Sequence, residues 1–335
     1  MKILITGASG YIGSHTVLAL LDKGYDCVLV DNFANSEPSV IESLKQISNK
    51  KFDFYQVNLC ELDKVNDLFK EHKFNAVIHF AALKSPTISC QEPLNYYYVN
   101  LCSLLNVLEC MNNYDCRKFV FSSSAAIYHK DSLAPIDESN LVQPVTPYGN
   151  TKAIAERVLV DICNSNPNWK IIALRYFNPV GAHPSGLIGE KPMGIPNNLF
   201  PRLFNVALKL EDSLNIFGND WDTVDGTGVR DYIHIQDLAS GHMAALEYLE
   251  NNTENYLAVN LGTGKGYSVM EVINKFKSIT GVSIDYKFAS RRQGDVAQSF
   301  ADVTLARQKL FWSATKGLEE MLEDGWRFRK QSSSR

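Results

Sequence analysis

The chain has no apolar run approaching the ~20 residues that cross a bilayer, no block of lysine and arginine, and no two histidines one helical turn apart. The first absence leaves no candidate membrane helix. The second, with a net charge of −4 and a pI of 6.0, removes the electrostatic footprint of a nucleic-acid binder or of a protein held on an anionic membrane. The third, with no Cys-x-x-Cys among Cys27, Cys60, Cys90, Cys102, Cys110, Cys116 and Cys163, leaves no metal-ligand spacing, so no metal is expected. An odd set of unpatterned cysteines, and an opening Met1–Ile5 that runs into a strand pattern without a signal peptide, set the expectation of a reduced, cytoplasmic protein. Internal repeats are lacking too, and the polar end Gln331–Arg335 is expected to fray.

What is present is ordinary enzyme material: 335 residues, 45% hydrophobic and 21% charged, enough for one large or two moderate cores. Short apolar runs at Lys2–Ile5, Cys27–Asp31, Asn75–Phe80, Lys118–Phe121 and Ile171–Tyr176 read as strands. Helical spacing marks Tyr11–Leu21, stopped by Gly24, and the stretches near Asn100–Met111 and Tyr148–Cys163. Continuous apolar strands alternating with helices predict an α/β fold, a Rossmann-type doubly wound parallel sheet with its ligand at the carboxyl ends of the strands. Beyond residue 177 the loops turn rich in Gly, Pro and Asn, with helical signals at Leu199–Leu210 and Ser268–Thr280. The division expected is residues 1–177 as the doubly wound Rossmann-type domain and 178–335 as a smaller α/β substrate-binding part, with segments at about 229–262 packing back on the first.

Gly7, Gly10 and Gly13 follow a strand and open a helix, where glycine permits a tight turn and close approach to a pyrophosphate. The spacing is G-x-x-G-x-x-G. Asp31 arrives 18 residues later at the next strand end, suited to accept from a ribose diol and to repel a 2′-phosphate. No lysine or arginine stands in Asn32-Phe33-Ala34-Asn35, so NAD is favoured over NADP. Ser122-Ser123-Ser124 end a strand where such sheets bind ligands, although small polar residues also cap strand ends for structural reasons alone. Tyr148 and Lys152 share a helical face. A nearby ammonium is expected to lower the phenol pKa toward that of a useful base. Taken alone, such a pair is as well explained by a solvated helix start. Its position after the glycine loop and the serines is what argues for chemistry.

On these motifs the chain resembles the UDP-galactose 4-epimerases of the extended short-chain dehydrogenase/reductase family, over nearly its full length. The matching stretches are Gly7–His15, Val30–Phe33, His79–Lys84, Phe121–Ser124, Tyr148–Lys152, Arg175–Pro179, Gly194–Leu199, Phe217–Asp220, Asp225–His234, Asn260–Gly264 and Arg291–Asp295. The resemblance implies bound NAD and inversion at C4 of a UDP-linked hexose. Ser124, Tyr148 and Lys152 are then the catalytic set. Cofactor positions are Gly7, Gly10, Tyr11, Ile12, Gly13, Asp31, Asn32, Asn35, Ser36, Asn58, Leu59, Phe80, Ala81, Lys84, Asn100, Ser122, Tyr148, Lys152 and Phe177. Nucleotide-sugar positions are Lys84, Ser124, Tyr148, Asn178, Asn198, Leu199, Phe217, Arg230, Arg292, Asp295 and Ser299. A homodimer formed by the two long helices is also implied.

Some residues depart from the family pattern. Asn58 stands where an aspartate is usual, and Ser85–Ile88, Ala126 and His129 alter the sugar pocket or its rim. In the proteins this chain resembles, the position of Ser299 faces the sugar C2 substituent and tends to be a tyrosine in members restricted to plain hexoses. The expected range is therefore UDP-GlcNAc/UDP-GalNAc and, alongside, UDP-Glc/UDP-Gal, the alternative being the plain pair alone. A nucleotide-sugar dehydratase would need an Asp-Glu pair, and a decarboxylase a glutamate, where Ala125-Ala126 follow Ser124. A non-enzymatic NAD sensor would have no need of the intact Tyr148/Lys152 pair.

Overall fold

The structure, a computed structural model, describes every residue except Met193, Ile195, Gln293, Ser334 and Arg335. Strand and helix alternate through the first half: β1 (Lys2–Thr6), α1 (Tyr11–Asp22), β2 (Asp26–Asp31), α2 (Ser39–Ser48), β3 (Asp53–Gln56), α3 (Leu62–Glu71) and β4 (Ala76–His79). Then come α4 (Pro86–Gln91), α5 (Pro93–Asn113), β5 (Lys118–Ser124), α6 (Pro147–Ser165), β6 (Lys170–Tyr176) and β7 (Asn178–Val180). The remainder holds α7 (Leu199–Ala207), β8 (Leu214–Phe217), β9 (Val229–His234), α8 (Ile235–Asn251), β10 (Tyr256–Leu261) and β11 (Gly266–Ser268). It ends with α9 (Val269–Thr280), β12 (Tyr286–Ala289), β13 (Gln298–Ser299), α10 (Thr304–Leu310) and α11 (Leu318–Ser333).

Seven parallel strands form one sheet in the order β10-β6-β5-β4-β1-β2-β3. Their interiors are apolar on both sides because helices cover both sides. Leu18, Leu20, Leu238 and Leu246 of α1 and α8 pack on Ile3, Ile172 and Leu174. Leu68, Leu104, Val107 and Leu159 of α3, α5 and α6 pack on Leu4, Phe119 and Ala173. The order reverses beside β1, between β2 and β4, and this opens a crevice at the strand ends.

The C-terminal half is not a separate continuation. β10 is the edge strand beside β6 and α8 lies against α1, so residues 235–261 belong to the large sheet. Val229–His234 pairs in a small sheet with β7, β11 and β13, turning Tyr232 into a core of Phe200, Phe204, Phe276 and Met321 and Ile233 into the core of the large sheet. α7 stops at Ala207 rather than Leu210, since Lys209 turns into the left-handed region with φ of 61°. Helix α11 runs through Ser333 and buries Met321, Leu322, Gly325 and Phe328 along one face. Ser334 and Arg335 lie outside the described residues.

Candidate active site

Thr6 ends β1 and Gly7 turns the chain with φ of 67°; a Cβ on Gly7 would stand 2.7 Å from the Ala81 nitrogen. Gly13 is held closer still, with a Cβ there falling 2.2 Å from the Gly7 carbonyl oxygen. Helix α1 begins at Tyr11 with Gly10 as its cap and no side chain over its first turn, so the Tyr11 and Ile12 end is open to an anion. At the end of β2, Asp31 accepts from the Ser9 amide at 3.0 Å, the Phe33 amide at 2.9 Å and the Ser36 hydroxyl at 3.1 Å. Its Oδ2 takes only the Ser9 bond, which leaves acceptor capacity for a ribose hydroxyl. Asn32, Asn35, Asn58, Leu59, Phe80, Ala81, Lys84, Ser122 and Phe177 line the same space. A dinucleotide fits this half: a cradle that a Cβ would fill, a bare helix start, and a carboxylate that disfavours a 2′-phosphate.

Asn100, also expected at the cofactor, stands behind this lining. Its amide is spent within the fold, on the Leu83 amide at 2.7 Å, the Leu83 carbonyl at 3.1 Å and the Thr151 hydroxyl at 3.0 Å. It is 6% exposed and does not line the cavity. It acts as a fastener between the loop after β4 and α6.

Ser124 is the last residue of β5, and Tyr148 stands in the first turn of α6 behind Pro147 and the Thr146 cap. The Ser124 hydroxyl faces the Tyr148 phenol and favours its ionised form, yet burial dominates and holds the phenol above its usual pKa. The expected lowering by Lys152 is not what this geometry gives. The Lys152 ammonium donates to the Ser122 carbonyl at 2.6 Å and sits 6.0 Å from the Tyr148 ring centre. Burial pulls Lys152 down to about 7, against the Glu156 carboxylate that favours its charge. Glu156 itself pairs with Arg175 at 2.6 Å, both buried.

The other half of the cavity comes from residues far apart in the chain. Asn178, Asn198, Leu199, Phe217, Arg230, Arg292, Asp295 and Ser299 all line it. Asp295 organises the two arginines, accepting from Arg292 Nε at 2.9 Å with Arg230 Nη2 at 3.9 Å. Arg230 is further held by the Val229 and Val296 carbonyls, and Arg292 lies 4.6 Å over the Phe217 ring. Strand pairing sets Ser299 directly beside Arg230. Together the halves enclose about 670 Å³, with Ser124, Tyr148 and Lys152 on the shared wall.

Sequence reasoning missed Glu190, Trp221 and Tyr176, which also line this space. Glu190 accepts from Asn198 at 2.8 Å, and burial raises its carboxyl pKa. Its position just before Gly194–Leu199 was the one available signal. Among the described residues, no group of three or more His, Cys, Asp or Glu is placed to hold a metal ion, no helix is long and apolar enough to cross a membrane, and all seven cysteines are unpaired.

Residues 3–262 match the NAD dependent epimerase/dehydratase family. The chain is 47% identical over 334 residues to a UDP-glucose 4-epimerase of Bacillus subtilis (strain 168), covering 100% of this chain and 98% of that protein. Among solved structures it resembles the UDP-glucose 4-epimerase of Stenotrophomonas maltophila with bound NAD and formylated UDP-arabinopyranose, at a TM-score of 0.97 and 42% identity, covering 100% and 99% of the two chains. The UDP-glucose 4-epimerase of Bifidobacterium longum in complex with NAD+ and UDP gives 0.94 and 40%, covering 99% of each. The chain belongs to the NAD-dependent epimerase/dehydratase family, among its UDP-sugar 4-epimerases.

Proposed function

We propose that the chain interconverts UDP-glucose and UDP-galactose by inverting C4 through a 4-keto sugar, keeping its NAD throughout. One observation carries this reading: Ser124, Tyr148 and Lys152 stand on the wall shared by the cofactor half and the arginine half of a single cavity. An unactivated C4–H is not acidic, so inversion needs a ketone. NAD, when bound, supplies the hydride acceptor and returns the hydride to the opposite face of the sugar. Tyr148, as its phenolate, takes the proton of the 4-hydroxyl and gives it back, with Ser124 holding the same oxygen and favouring that ionised form. The Lys152 ammonium, fixed on Ser122, carries the positive charge nearest these groups. Arg230 and Arg292 suit the diphosphate, since guanidinium forks match phosphate oxygens. Gripping the nucleotide lets the sugar turn over without leaving, so remote binding energy retains the intermediate.

The plain hexose pair accords with the activity named for the relatives. Ser299 favours a second reading, in which UDP-GlcNAc and UDP-GalNAc are also substrates, because a serine beside Arg230 leaves room at the sugar end that a phenol would fill. Incubation of the purified protein with UDP-galactose or UDP-GlcNAc, without added NAD, separates these readings by their products. Stoichiometric NADH and a ketosugar would instead make it a dehydrogenase. If wild type turns over UDP-GlcNAc, Ser299→Tyr should abolish that activity and spare UDP-galactose.

The chain is also proposed to work as a homodimer. Leu94, Tyr98 and Leu105 of α5 and Ile154 of α6 are exposed, while Leu104, Val107, Leu108 and Leu159 face inward, so the two helices carry an apolar face beyond the one the sheet covers. Light scattering giving a mass near 37.6 kDa at micromolar concentration would count against it.

A further inference from the structure

A buried polar chain that the mechanism above leaves unused runs from α8 to the catalytic wall. His242 is 0% exposed. Its Nδ1 lies 2.8 Å from the Leu238 carbonyl, one turn earlier in the helix. A carbonyl only accepts, so Nδ1 carries the proton and Nε2 is a bare acceptor. Nε2 lies 2.5 Å from the Tyr176 hydroxyl, which must therefore donate to it. The Tyr176 oxygen then has only lone pairs to offer, and the Ser122 hydroxyl faces it and favours its ionised form against the effect of burial. Strand register supports this: β5 and β6 pair Ser122 with Leu174 and Ser124 with Tyr176, which puts Ser122 and Tyr176 on one sheet face. From α6, on the other face, Lys152 donates to the carbonyl of the same Ser122 at 2.6 Å.

Ser122 is thus tied on both sides of the sheet. Its hydroxyl goes to the Tyr176–His242 pair and its carbonyl to the lysine nearest the proposed base. Burial holds His242 down at about 4 and pushes Tyr176 well up, so the donor and acceptor roles persist across the working pH range. The Phe80 ring, on the cofactor wall, packs 4.8 Å from the His242 ring and leaves the imidazole little freedom to turn.

We propose that Tyr176 and His242 are a positioning pair: they fix the Ser122 peptide, and through it the Lys152 ammonium, while the sugar turns within the cavity. A bond chain with every donor and acceptor assigned costs little once formed, whereas breaking one link leaves the others buried and underused. The proposal rests on the epimerase reading above and adds to it Tyr176, on the cavity lining, and His242 behind it.

The test uses full-length holoenzyme with UDP-galactose, with bound NAD and thermal melts measured alongside. Tyr176→Phe and His242→Leu should each lower kcat about tenfold, the worth of one buried hydrogen bond, with KM and NAD content within about twofold of wild type. The double variant should be no slower than either single one, because the chain is already broken. His242→Gln, whose amide oxygen accepts in place of Nε2, should recover most of the loss seen in His242→Leu. Losses that multiply in the double variant, KM or NAD content changing in step with kcat, or a Tyr176→Phe enzyme with wild-type kcat would each overturn the proposal. Should His242→Leu fail to fold, the split between kcat and KM in Tyr176→Phe still decides. A wild-type protein inactive on UDP-galactose would sink the epimerase reading instead, so the two failures are distinguishable.

Discussion

The two halves of the cavity are built in opposite ways. The cofactor half is made largely of strand ends: Gly7 after β1, Asp31 at the end of β2, Phe80 and Ala81 after β4, Ser122 within β5. Backbone geometry places them, and the parallel sheet fixes their spacing. The nucleotide-sugar half is made of side chains from loops and short strands between Asn178 and Ser299, held by bonds they make to one another. Asp295 between Arg230 and Arg292, and Glu190 on Asn198, are examples. A site fixed by backbone tolerates little substitution at its turns. One fixed by paired side chains should lose affinity in steps while the fold persists.

The largest effect should fall on the wall shared by both halves. Tyr148→Phe should cut kcat by ~10²–10⁴, the usual worth of a positioned acid–base group, with the KM for UDP-galactose within a few fold. Near-full activity in that variant would move the base elsewhere.

Within the sheet, the Glu156–Arg175 pair is buried on both sides, at 8% and 7% side-chain exposure. Removing one partner leaves a buried charge alone, so Arg175→Met should cost about 3–5 kcal/mol of stability, read from urea unfolding. The half-exposed Arg291–Asp220 pair of the other half should cost about 0–1 kcal/mol when broken. Equal costs would erase the distinction drawn between the two regions.

The halves should also separate in binding. Gly13→Ala places a Cβ 2.2 Å from the Gly7 oxygen and should strip most of the co-purifying NAD, measured by absorbance after denaturation. Arg292→Ala should leave NAD content intact and weaken UDP affinity about tenfold, as expected for a lost charged hydrogen bond. NAD loss in the Arg292 variant would mean that the halves are not independent.

The smallest effect is the response to acid. His15, His79 and His242 are buried against the large sheet, with pKa values pulled by desolvation to about 3, 3 and 4. The unfolded chain binds protons at these sites near pH 6.5 and the folded chain does not, so their contribution is complete above 6.5 and is lost as pH falls toward 3. Near pH 5 each adds a slope of roughly 1.4 kcal/mol per pH unit. His79→Asn should flatten the fall in unfolding free energy between pH 6.5 and 5 by about that amount, and an unchanged slope would show that His79 is already charged in the fold.

How much could be read in the sequence follows the same division. The glycine turn, Asp31, the serines and Tyr148/Lys152 are legible because each lies in a short segment whose periodicity or spacing carries its meaning. Helices α2 and α3 and strand β3 escape notice because few of their residues are buried, Ile41 and Leu44 being the two in α2. The bonds of Asn100 to Leu83 and Thr151 are likewise invisible in the sequence, because they join segments 17 and 51 residues apart. Glu190 and Tyr176 lie beside or within matching stretches but carry no spacing that marks a role, and His242 carries none either.

The sequence alone pointed to the α/β class and the cofactor turn through local periodicity and spacing, and to Ser124, Tyr148 and Lys152 through the order of its motifs. The tertiary structure decided that β10 and α8 return to the first sheet, that Asp295 stands between two arginines, and that Lys152 spends its hydrogen bond on Ser122. It also decided that burial, rather than a neighbouring charge, dominates the Tyr148 phenol. Desolvation depends on everything that surrounds a group, and that enclosure comes from segments as distant as residues 80, 177 and 299, whose proximity no local pattern encodes.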